Sequence, residues 1–126
     1  MGKIIIFFRF LKLFSFLFIL YDYSIAKSVQ KNCSEIDEEM GFYLIKYTYV
    51  KFTGTCLLYN NSNEVLEIMN FKNGLKDGSF TKFFKGKISD KFYMKNNKID
   101  GTYKKFKEDL LYKKLNYENG KLIKCF

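Results

Sequence analysis

The most informative stretch of this chain is SFTKFFKGKISDKFYMK, which covers residues 79–95. It contains two segments rich in aromatic and β-branched residues on either side of a Lys-Gly pair, and this arrangement predicts a β-hairpin. In the second segment Ile88, Phe92 and Met94 alternate with polar residues. This period of two indicates a strand with one buried face and one solvated face.

The same pattern recurs at a spacing of 23 residues, so that similar residues fall into columns. The columns are Val65, Ile88 and Leu111; Met69, Phe92 and Leu115; and Phe71, Met94 and Tyr117. A glycine opens each hairpin, at Gly54, Gly78 and Gly101, and Asn-Gly or Asn-Asn pairs supply turns between copies. Such a period is typical of a repeat array in which each unit packs on its neighbours. The sequence therefore predicts an all-β fold, an elongated, twisted antiparallel sheet of successive β-hairpin repeats with a small N-terminal cap.

The expected domain organisation has three parts. They are a signal peptide over residues 1–26, a cap over residues 27–51 and hairpin repeats over residues 52–126. The expected copies are residues 52–76, 77–99 and 100–122, followed by a partial copy at residues 123–126.

Motifs at the hairpin starts resemble those of a known family. They are Lys76-Asp77-Gly78-Ser79-Phe80 and Ile99-Asp100-Gly101-Thr102-Tyr103, each preceded by an aromatic residue or methionine and by an Asn. Over about residues 52–126 the chain is similar to MORN-type repeats, in the divergent variant of the bacterial YwqK-type antitoxin family. The resemblance implies an elongated sheet of hairpins that binds rather than catalyses, and some family members are described as immunity partners of toxins. A cytosolic antitoxin would not need the apolar leader of this chain.

The leader has the features of an export signal. Lys3, Arg9 and Lys12 precede a largely apolar, uncharged run over residues 13–21. Residues 24–26, Ser-Ile-Ala, form a small-x-small sequence of the kind that signal peptidases cut. We therefore expect cleavage after Ala26.

Cleavage would leave a mature protein that begins at Lys27 and is periplasmic, secreted or held at the cell surface. The alternative is an uncleaved anchor formed by residues 4–23, which would place two cations and one acid in the membrane at an energetic cost.

Residues 27–51 precede the first clear copy and are interpreted as the cap. Ser34 is predicted to start a short helix with acidic residues in its first turn, ended early by Gly41. Residues 42–52 alternate with apolar groups on both sides, which predicts a strand covered on both faces. Repeat arrays need such a cap to close an exposed end.

Positive charge is concentrated in the last two copies, in a chain with a net charge of +9 at pH 7. The candidate basic surface consists of Lys82, Lys87, Lys91, Lys95, Lys104 and Lys105. Such a surface would attract anionic lipid headgroups or acidic polymers. The alternative is that these lysines form the solvated half of alternating strands and protect sheet edges. Nucleic acid is not expected as a partner, because the only Arg lies in the leader and an exported protein would rarely meet nucleic acid.

No catalytic, cofactor or metal site is predicted. The chain has no His, which removes the usual general base and the serine-histidine arrangement. Asp77 and Asp100 recur one repeat apart, but Asp before Gly is turn chemistry. The acids around Glu35 are expected to be solvated. The cysteines lack the paired spacing of a zinc site, so a non-enzymatic protein is expected.

The three cysteines, Cys33, Cys56 and Cys125, leave two interpretations open. An oxidising compartment favours one disulfide. In a continuous sheet Cys56 and Cys125 would lie about 29 Å apart. A disulfide tolerates about 7 Å between Cα atoms, which excludes this pair, and the same distance argument weighs against Cys33–Cys125 if the cap lies beside the first copy. Cys33–Cys56 is then the remaining pair. The alternative is that all three are small core hydrophobes.

These features predict an exported, non-catalytic module that binds an unidentified protein partner in the cell envelope. One alternative is an immunity or antitoxin-like protein that neutralises a toxin. A further alternative is a membrane-surface module that binds anionic lipid through its lysine-rich face.

Overall fold

The computed structural model describes residues 29–126, so the predicted signal peptide, its cleavage site and the anchor alternative lie outside the described residues. The strands are β1 (Gln30–Asn32), β2 (Ile36–Glu39), β3 (Phe42–Ile45), β4 (Gly54–Tyr59), β5 (Val65–Lys72), β6 (Leu75–Lys76), β7 (Gly78–Phe84), β8 (Lys87–Lys95), β9 (Lys98–Ile99), β10 (Gly101–Lys107), β11 (Leu110–Glu118) and β12 (Lys121–Cys125). One 3-10 turn, Cys33–Glu35, follows β1. The predicted all-β fold class is confirmed.

The main sheet follows the order β1-β4-β5-β7-β8-β10-β11-β12, and the short strands β6 and β9 pair with β5 and β8. Three successive antiparallel hairpins, β4–β5, β7–β8 and β10–β11, form its body. Each opening glycine pairs with the last apolar residue of the same hairpin. These pairs are Gly54 with Phe71, Gly78 with Met94 and Gly101 with Tyr117.

One strand departs from the predicted antiparallel arrangement. Strand β1 runs parallel to β4, with Gln30 opposite Thr55. Between these two strands the chain passes through the β2–β3 hairpin, which makes a crossover, and a parallel pair needs a crossover because a tight turn cannot join its strands.

Two-residue turns connect most of the strands. Both residues of each turn have positive φ, which is the geometry of a type I′ turn and matches the twist of the flanking strands. The turns are Met40-Gly41, Asn73-Gly74, Lys85-Gly86, Asn96-Asn97, Glu108-Asp109 and Asn119-Gly120. The β4–β5 connection is longer, and in it the Asn60 side chain accepts hydrogen bonds from the backbone N–H groups of Ser62 and Glu64.

A repeated backbone hydrogen bond links the turn that follows each hairpin to the segment just before the same hairpin. In each case the second residue of a turn between hairpins donates to the carbonyl two positions before an opening glycine. The bonds run from Gly74 to Phe52 at 2.8 Å, from Asn97 to Lys76 at 3.0 Å and from Gly120 to Ile99 at 2.8 Å. The Asn97 side chain adds two more, accepting from the Lys76 N–H and donating to the Gly41 carbonyl of the cap.

The core lies on one face of the sheet. Its buried residues are Phe52, Cys56, Phe71, Phe80, Phe92 and Leu115. Aromatic rings contact one another across successive strands, for example Phe80 and Phe92 at 5.4 Å between centroids and Phe92 and Tyr103 at 4.8 Å. Such pairs add about 0.5–1.5 kcal/mol each beyond their buried area, and they help to stabilise a sheet that is mostly one layer thick.

The β2–β3 hairpin covers the N-terminal end of this core. Ile36, Tyr43 and Ile45 pack against the cluster formed by Phe52, Cys56 and Phe71. Backbone hydrogen bonds from Tyr43 to the Gly74 carbonyl and from Phe52 to the Tyr43 carbonyl fix the hairpin in place.

The prediction of a helix in the cap is wrong. Residues 33–35 form a single 3-10 turn whose N-cap is Asn32, not Ser34: the Asn32 side chain accepts from the Ser34 N–H, and the Glu35 carboxylate accepts from the Asn32 N–H. The next residue, Ile36, is extended and pairs with Ile45, which brings it onto the core. Burial of Ile36 in a strand therefore overrides the local helix signal.

The strand predicted over residues 42–52 is shorter than expected. Strand β3 ends at Ile45, and the chain turns through residues 46–50 with Tyr47 at a φ of 61°. The alternating tyrosines that suggested a longer strand are exposed in this turn, with Tyr47 and Tyr49 more than nine-tenths accessible.

Candidate functional site

Two faces of the main sheet follow from the strand pairing, because side chains alternate along a strand and paired residues share a face. The core face is the side that carries Phe71, Phe80 and Phe92. The open face is the opposite side, and it carries the residues next to them in sequence, among them Thr81, Lys91 and Tyr93. The β2–β3 hairpin packs on the core face, and Lys91, Tyr93 and Lys104 of the open face are exposed.

Charges of opposite sign alternate across the core face. Lys82 of β7 lies opposite Asp90 of β8, and it also pairs with Glu67 of β5, with 3.3 Å between Lys82 Nζ and Glu67 Oε1. Asp90 in turn lies opposite Lys105 of β10. We call Glu67, Lys82, Asp90 and Lys105 the mixed row.

Asp90 is the centre of a small hydrogen-bond network on this face. The Tyr103 hydroxyl donates to Asp90 Oδ1 at 2.8 Å, and the Ser89 hydroxyl donates to Asp90 Oδ2 at 2.7 Å. Burial, and then the hydrogen bond to Asp90, raise the pKa of Tyr103 well above its ordinary value. Tyr103 is therefore a structural hydrogen-bond donor, and a phenol held in its protonated form is a poor general base.

Three lysines form a different row on the open face, on β8, β10 and β11, and two of them are the sequence neighbours of Asp90 and Lys105. Lys91 of β8 lies opposite Lys104 of β10, and Lys104 lies opposite Lys114 of β11. Among residues 29–126 none of these three has an ion-pair partner within 4 Å. The Lys114 ammonium group lies over the ring of Phe126, 5.0 Å from its centroid. We call Lys91, Lys104 and Lys114 the lysine row.

The lysine row lies in a shallow depression of about 470 Å³ on the open face. Its polar lining consists of the three lysines together with Ser79, Thr81, Tyr93 and Thr102. Lys91, Lys104, Ser79 and Tyr93 are exposed, so their donors are accessible to a ligand. The depression combines three ammonium groups with four hydroxyl groups and has no carboxylate in its lining.

Neighbouring hydroxyl and amide side chains on the open face are already paired with each other. Thr55 donates to Asn70 at 2.6 Å, and Asn70 donates to Ser79. Thr102 donates to Asn116 at 3.1 Å. These bonds order the polar side chains along one side of the lysine row.

The predicted basic surface is not a single surface, and the prediction is wrong in that respect. Lys91 and Lys104 lie on the open face, but Lys82 and Lys105 belong to the mixed row on the core face. Adjacent residues in a strand project to opposite faces, so Lys104 and Lys105 cannot act together.

The two remaining lysines of that prediction lie at strand ends. Lys87 pairs with Asp109 at 3.3 Å beside two hairpin turns, and Lys95 is exposed at the end of β8. Lys114, which completes the lysine row, was absent from the predicted set. Strand alternation alone could have separated Lys104 from Lys105, but the alignment of Lys91, Lys104 and Lys114 requires the pairing between different hairpins.

The acidic residues that were considered for chemistry have structural positions. The Asp77 and Asp100 N–H groups donate to the Asn70 and Tyr93 carbonyls before the opening glycines. A hydrogen bond from Lys31 and then one from the Asn32 backbone hold the pKa of Glu35 below its usual value. Within residues 29–126 no group of His, Cys, Asp and Glu is arranged to hold a metal ion.

Cys33 and Cys56 are joined by a disulfide, with 5.0 Å between their Cα atoms. The bond links the 3-10 turn to β4, and Cys56 is almost fully buried in the core. Cys125 is free and exposed in β12. The bond therefore fastens the N-terminal segment to the core face of the first hairpin.

No helix in the described part of the chain, residues 29–126, is long and apolar enough to cross a membrane. Comparison of the chain with protein-family models, with curated proteins and with solved structures found no match. The candidate functional site is therefore inferred from the geometry of the two faces alone.

Proposed function

We propose that this chain is an exported, non-catalytic module that binds a partner protein through the open face of its sheet. The observation that carries the proposal is the contrast between the two faces. The core face contains the buried aromatic residues and places Lys82 between Glu67 and Asp90, whereas the open face aligns three lysines on adjacent strands without an acidic partner among residues 29–126.

The energetics of the lysine row support a binding role. Like charges directly opposite each other in a sheet are destabilising, and favourable cross-strand pairs contribute about 0.2–1 kcal/mol. Lysines at these positions therefore lower the stability of the free protein. Features that break a local stability rule are expected at functional sites, where a ligand compensates for them.

The cysteine arrangement supports the exported part of the proposal. A disulfide between Cys33 and Cys56 is typical of a protein that matures in an oxidising compartment. An immunity role, which the family resemblance suggests, is a more specific form of the same proposal in which the partner is a toxin.

Site-specific photocrosslinking tests the proposal. The photoreactive residue benzoylphenylalanine replaces Tyr93, which is 59% exposed on the open face, and in a second variant it replaces Lys113, which is exposed on β11 and pairs with Lys105 of the core face. We expect a discrete covalent adduct with another polypeptide from position 93 in cells of the native host, and little or none from position 113. Equal crosslinking from both positions, or none from position 93, would contradict the proposal.

A further inference from the structure

We propose that the lysine row binds an extended acidic segment of the partner polypeptide, with acidic residues at alternate positions. This inference rests on the proposed function and specifies the chemistry of the partner. It is carried by the alignment of Lys91, Lys104 and Lys114 across three neighbouring strands.

The charge of the lysine row is complementary to that of an acidic segment. Each lysine of the row has another lysine as its cross-strand neighbour, and none has a carboxylate within 4 Å among residues 29–126. A bound chain of carboxylates would convert every like-charge contact into a favourable one. Such a segment is therefore the occupant that removes the electrostatic penalty of the row.

The length of the lysine row matches the spacing of side chains in an extended peptide. Neighbouring strands lie about 4.8 Å apart, so the row extends over about 10 Å at the backbone. In an extended polypeptide, alternate residues project to the same side at intervals of about 6.8 Å. Two or three alternating acidic residues thus match the length of the row, and the flexible lysine stems can adjust to the remaining difference.

The hydrogen-bond donors around the lysine row favour a carboxylate over a phosphate. Phosphate sites commonly use arginine forks or cradles of free backbone N–H groups. The single arginine of the chain is Arg9, outside the described residues. The middle parts of β8, β10 and β11 are engaged in cross-strand pairing. Lysine ammonium groups with flanking hydroxyls suit carboxylates, which need no planar or cradled donor.

An exposed aromatic residue beside the row supplies an apolar contact. Tyr93 is 59% exposed and lines the same depression as the lysines. Tyrosine is enriched at protein interfaces because it combines a large apolar area with a polar tip. An acidic segment laid along the row can therefore pack its stems against this ring.

Fluorescence anisotropy with a labelled synthetic peptide tests the proposal on the purified protein. The peptide carries three glutamates at alternate positions, and a control peptide carries glutamines there. We expect the glutamate peptide to bind and the triple variant Lys91→Gln, Lys104→Gln and Lys114→Gln to bind it at least about tenfold more weakly. Because this variant relieves repulsion, we expect it to be folded, and its thermal midpoint checks that.

The matched control removes the same charge from the opposite face. It is the triple variant Lys82→Gln, Lys105→Gln and Lys113→Gln, and we expect it to bind the peptide within about twofold of the unchanged protein, since its lysines lie away from the depression. Equal weakening by the two triple variants would show that net charge alone attracts the peptide, and this would overturn the proposal. Binding of both peptides with equal affinity would overturn it too.

Competition separates the acidic segment from other anions. Tripolyphosphate and vesicles containing phosphatidylglycerol are added as competitors at the same charge concentration as the peptide. Tighter binding of either one, with loss of that binding in the open-face triple variant, would overturn the proposal in favour of a phosphate ligand.

The two proposals can fail separately. If position 93 crosslinks to a partner and the open-face triple variant crosslinks equally well, the proposed function is retained and the acidic-segment inference is wrong. If position 93 gives no adduct but the acidic peptide binds through the lysine row, the proposed function is wrong in its partner class.

Discussion

Lys82 and Lys104 are the same residue type in the middle of equivalent strands, but they have opposite surroundings. Lys82 lies on the core face between two acids, Glu67 and Asp90. Lys104 lies on the open face between two lysines, Lys91 and Lys114. Within their strands the two positions are one residue out of phase, so the Lys82 side chain projects to the core face and the Lys104 side chain to the open face. This difference determines whether a lysine stabilises the sheet or is available to a ligand.

The comparison shows that the positive charge of this protein lies in two different environments. On the core face, Lys82 forms an ion pair with Glu67 across two strands, and Asp90 accepts a hydrogen bond from Tyr103 across two others. On the open face, the lysines lie in a depression whose lining contains hydroxyl groups and aromatic residues but no carboxylate. Net charge alone, at +9, gives no indication of this division.

The largest expected change in stability comes from removing an aromatic ring from the core face, compared with removing one from the open face. Phe71→Ala removes a ring that is 5% exposed and contacts Tyr43, Phe52 and Phe80, and we expect a loss of about 3–5 kcal/mol in the free energy of unfolding. The matched change on the open face, Tyr93→Ala, should cost less than about 1 kcal/mol. Urea denaturation of both variants measures the difference. Similar losses for the two would mean that the faces are not distinct.

The disulfide comes next, because it fastens the N-terminal segment to the core face. Cys33→Ala opens a link between residues 23 apart in sequence, and in the chain-entropy account we expect a loss of about 3 kcal/mol. Thermal denaturation with and without reductant checks this, and reductant should bring the unchanged protein close to the variant. Cys125→Ala is the control, since Cys125 is free and exposed, and it should leave the midpoint unchanged. If reductant has no effect on the unchanged protein, the prediction is wrong.

A smaller effect is expected where the mixed row meets the aromatic ladder. Tyr103→Phe keeps the ring on Phe92 but removes the hydrogen bond to Asp90, which should cost about 1 kcal/mol at neutral pH.

This contribution also depends on pH in a defined direction. The pKa of Tyr103 is higher in the folded state than in the unfolded chain. The contribution of Tyr103 to stability is therefore fully present below the ordinary tyrosine pKa of about 10. It is lost as the pH rises further, because the unfolded chain releases the proton first. The stability of the unchanged protein should therefore fall more steeply above pH 10 than that of Tyr103→Phe. Tyr93→Phe removes an exposed phenol instead, and identical pH profiles for the two variants would contradict the assignment.

The smallest expected effect tests the comparison directly. Lys104→Glu places an acid between Lys91 and Lys114 and should raise the free energy of unfolding by about 0.2–1 kcal/mol, whereas Lys82→Glu places an acid between Glu67 and Asp90 and should lower it by a similar amount. Both effects should shrink at high salt, because exposed charges are screened. Chemical denaturation at low and high salt measures them, and changes of the same sign would mean that the two rows do not differ.

The hairpins were predictable from the sequence because their signals are local. Alternation with a period of two and turn pairs such as Asn73-Gly74 specify a strand, its reversal and the return strand within about 20 residues. The buried face was predicted as well, since Phe92 and Leu115 fall in one column and both are buried.

The cap was not predictable in the same way. Ser34 and the acids after it have the local pattern of a helix start, but Ile36 and Ile45 gain burial only when the segment forms a hairpin over Phe52 and Phe71. That contact joins residues far apart in the chain, and tertiary burial outweighs a weak local propensity.

The sequence by itself determined that this chain forms antiparallel hairpins with an apolar face, because both properties depend on neighbouring residues. Only the tertiary structure decided how the hairpins align with one another, and with that alignment the separation of the lysines into the mixed row and the lysine row. The pairing of Lys91 with Lys104 and of Lys104 with Lys114 depends on strand register, which bulges such as the shift at Lys105 and Phe106 alter. Register is a relation between strands, so no single segment of the sequence contains it.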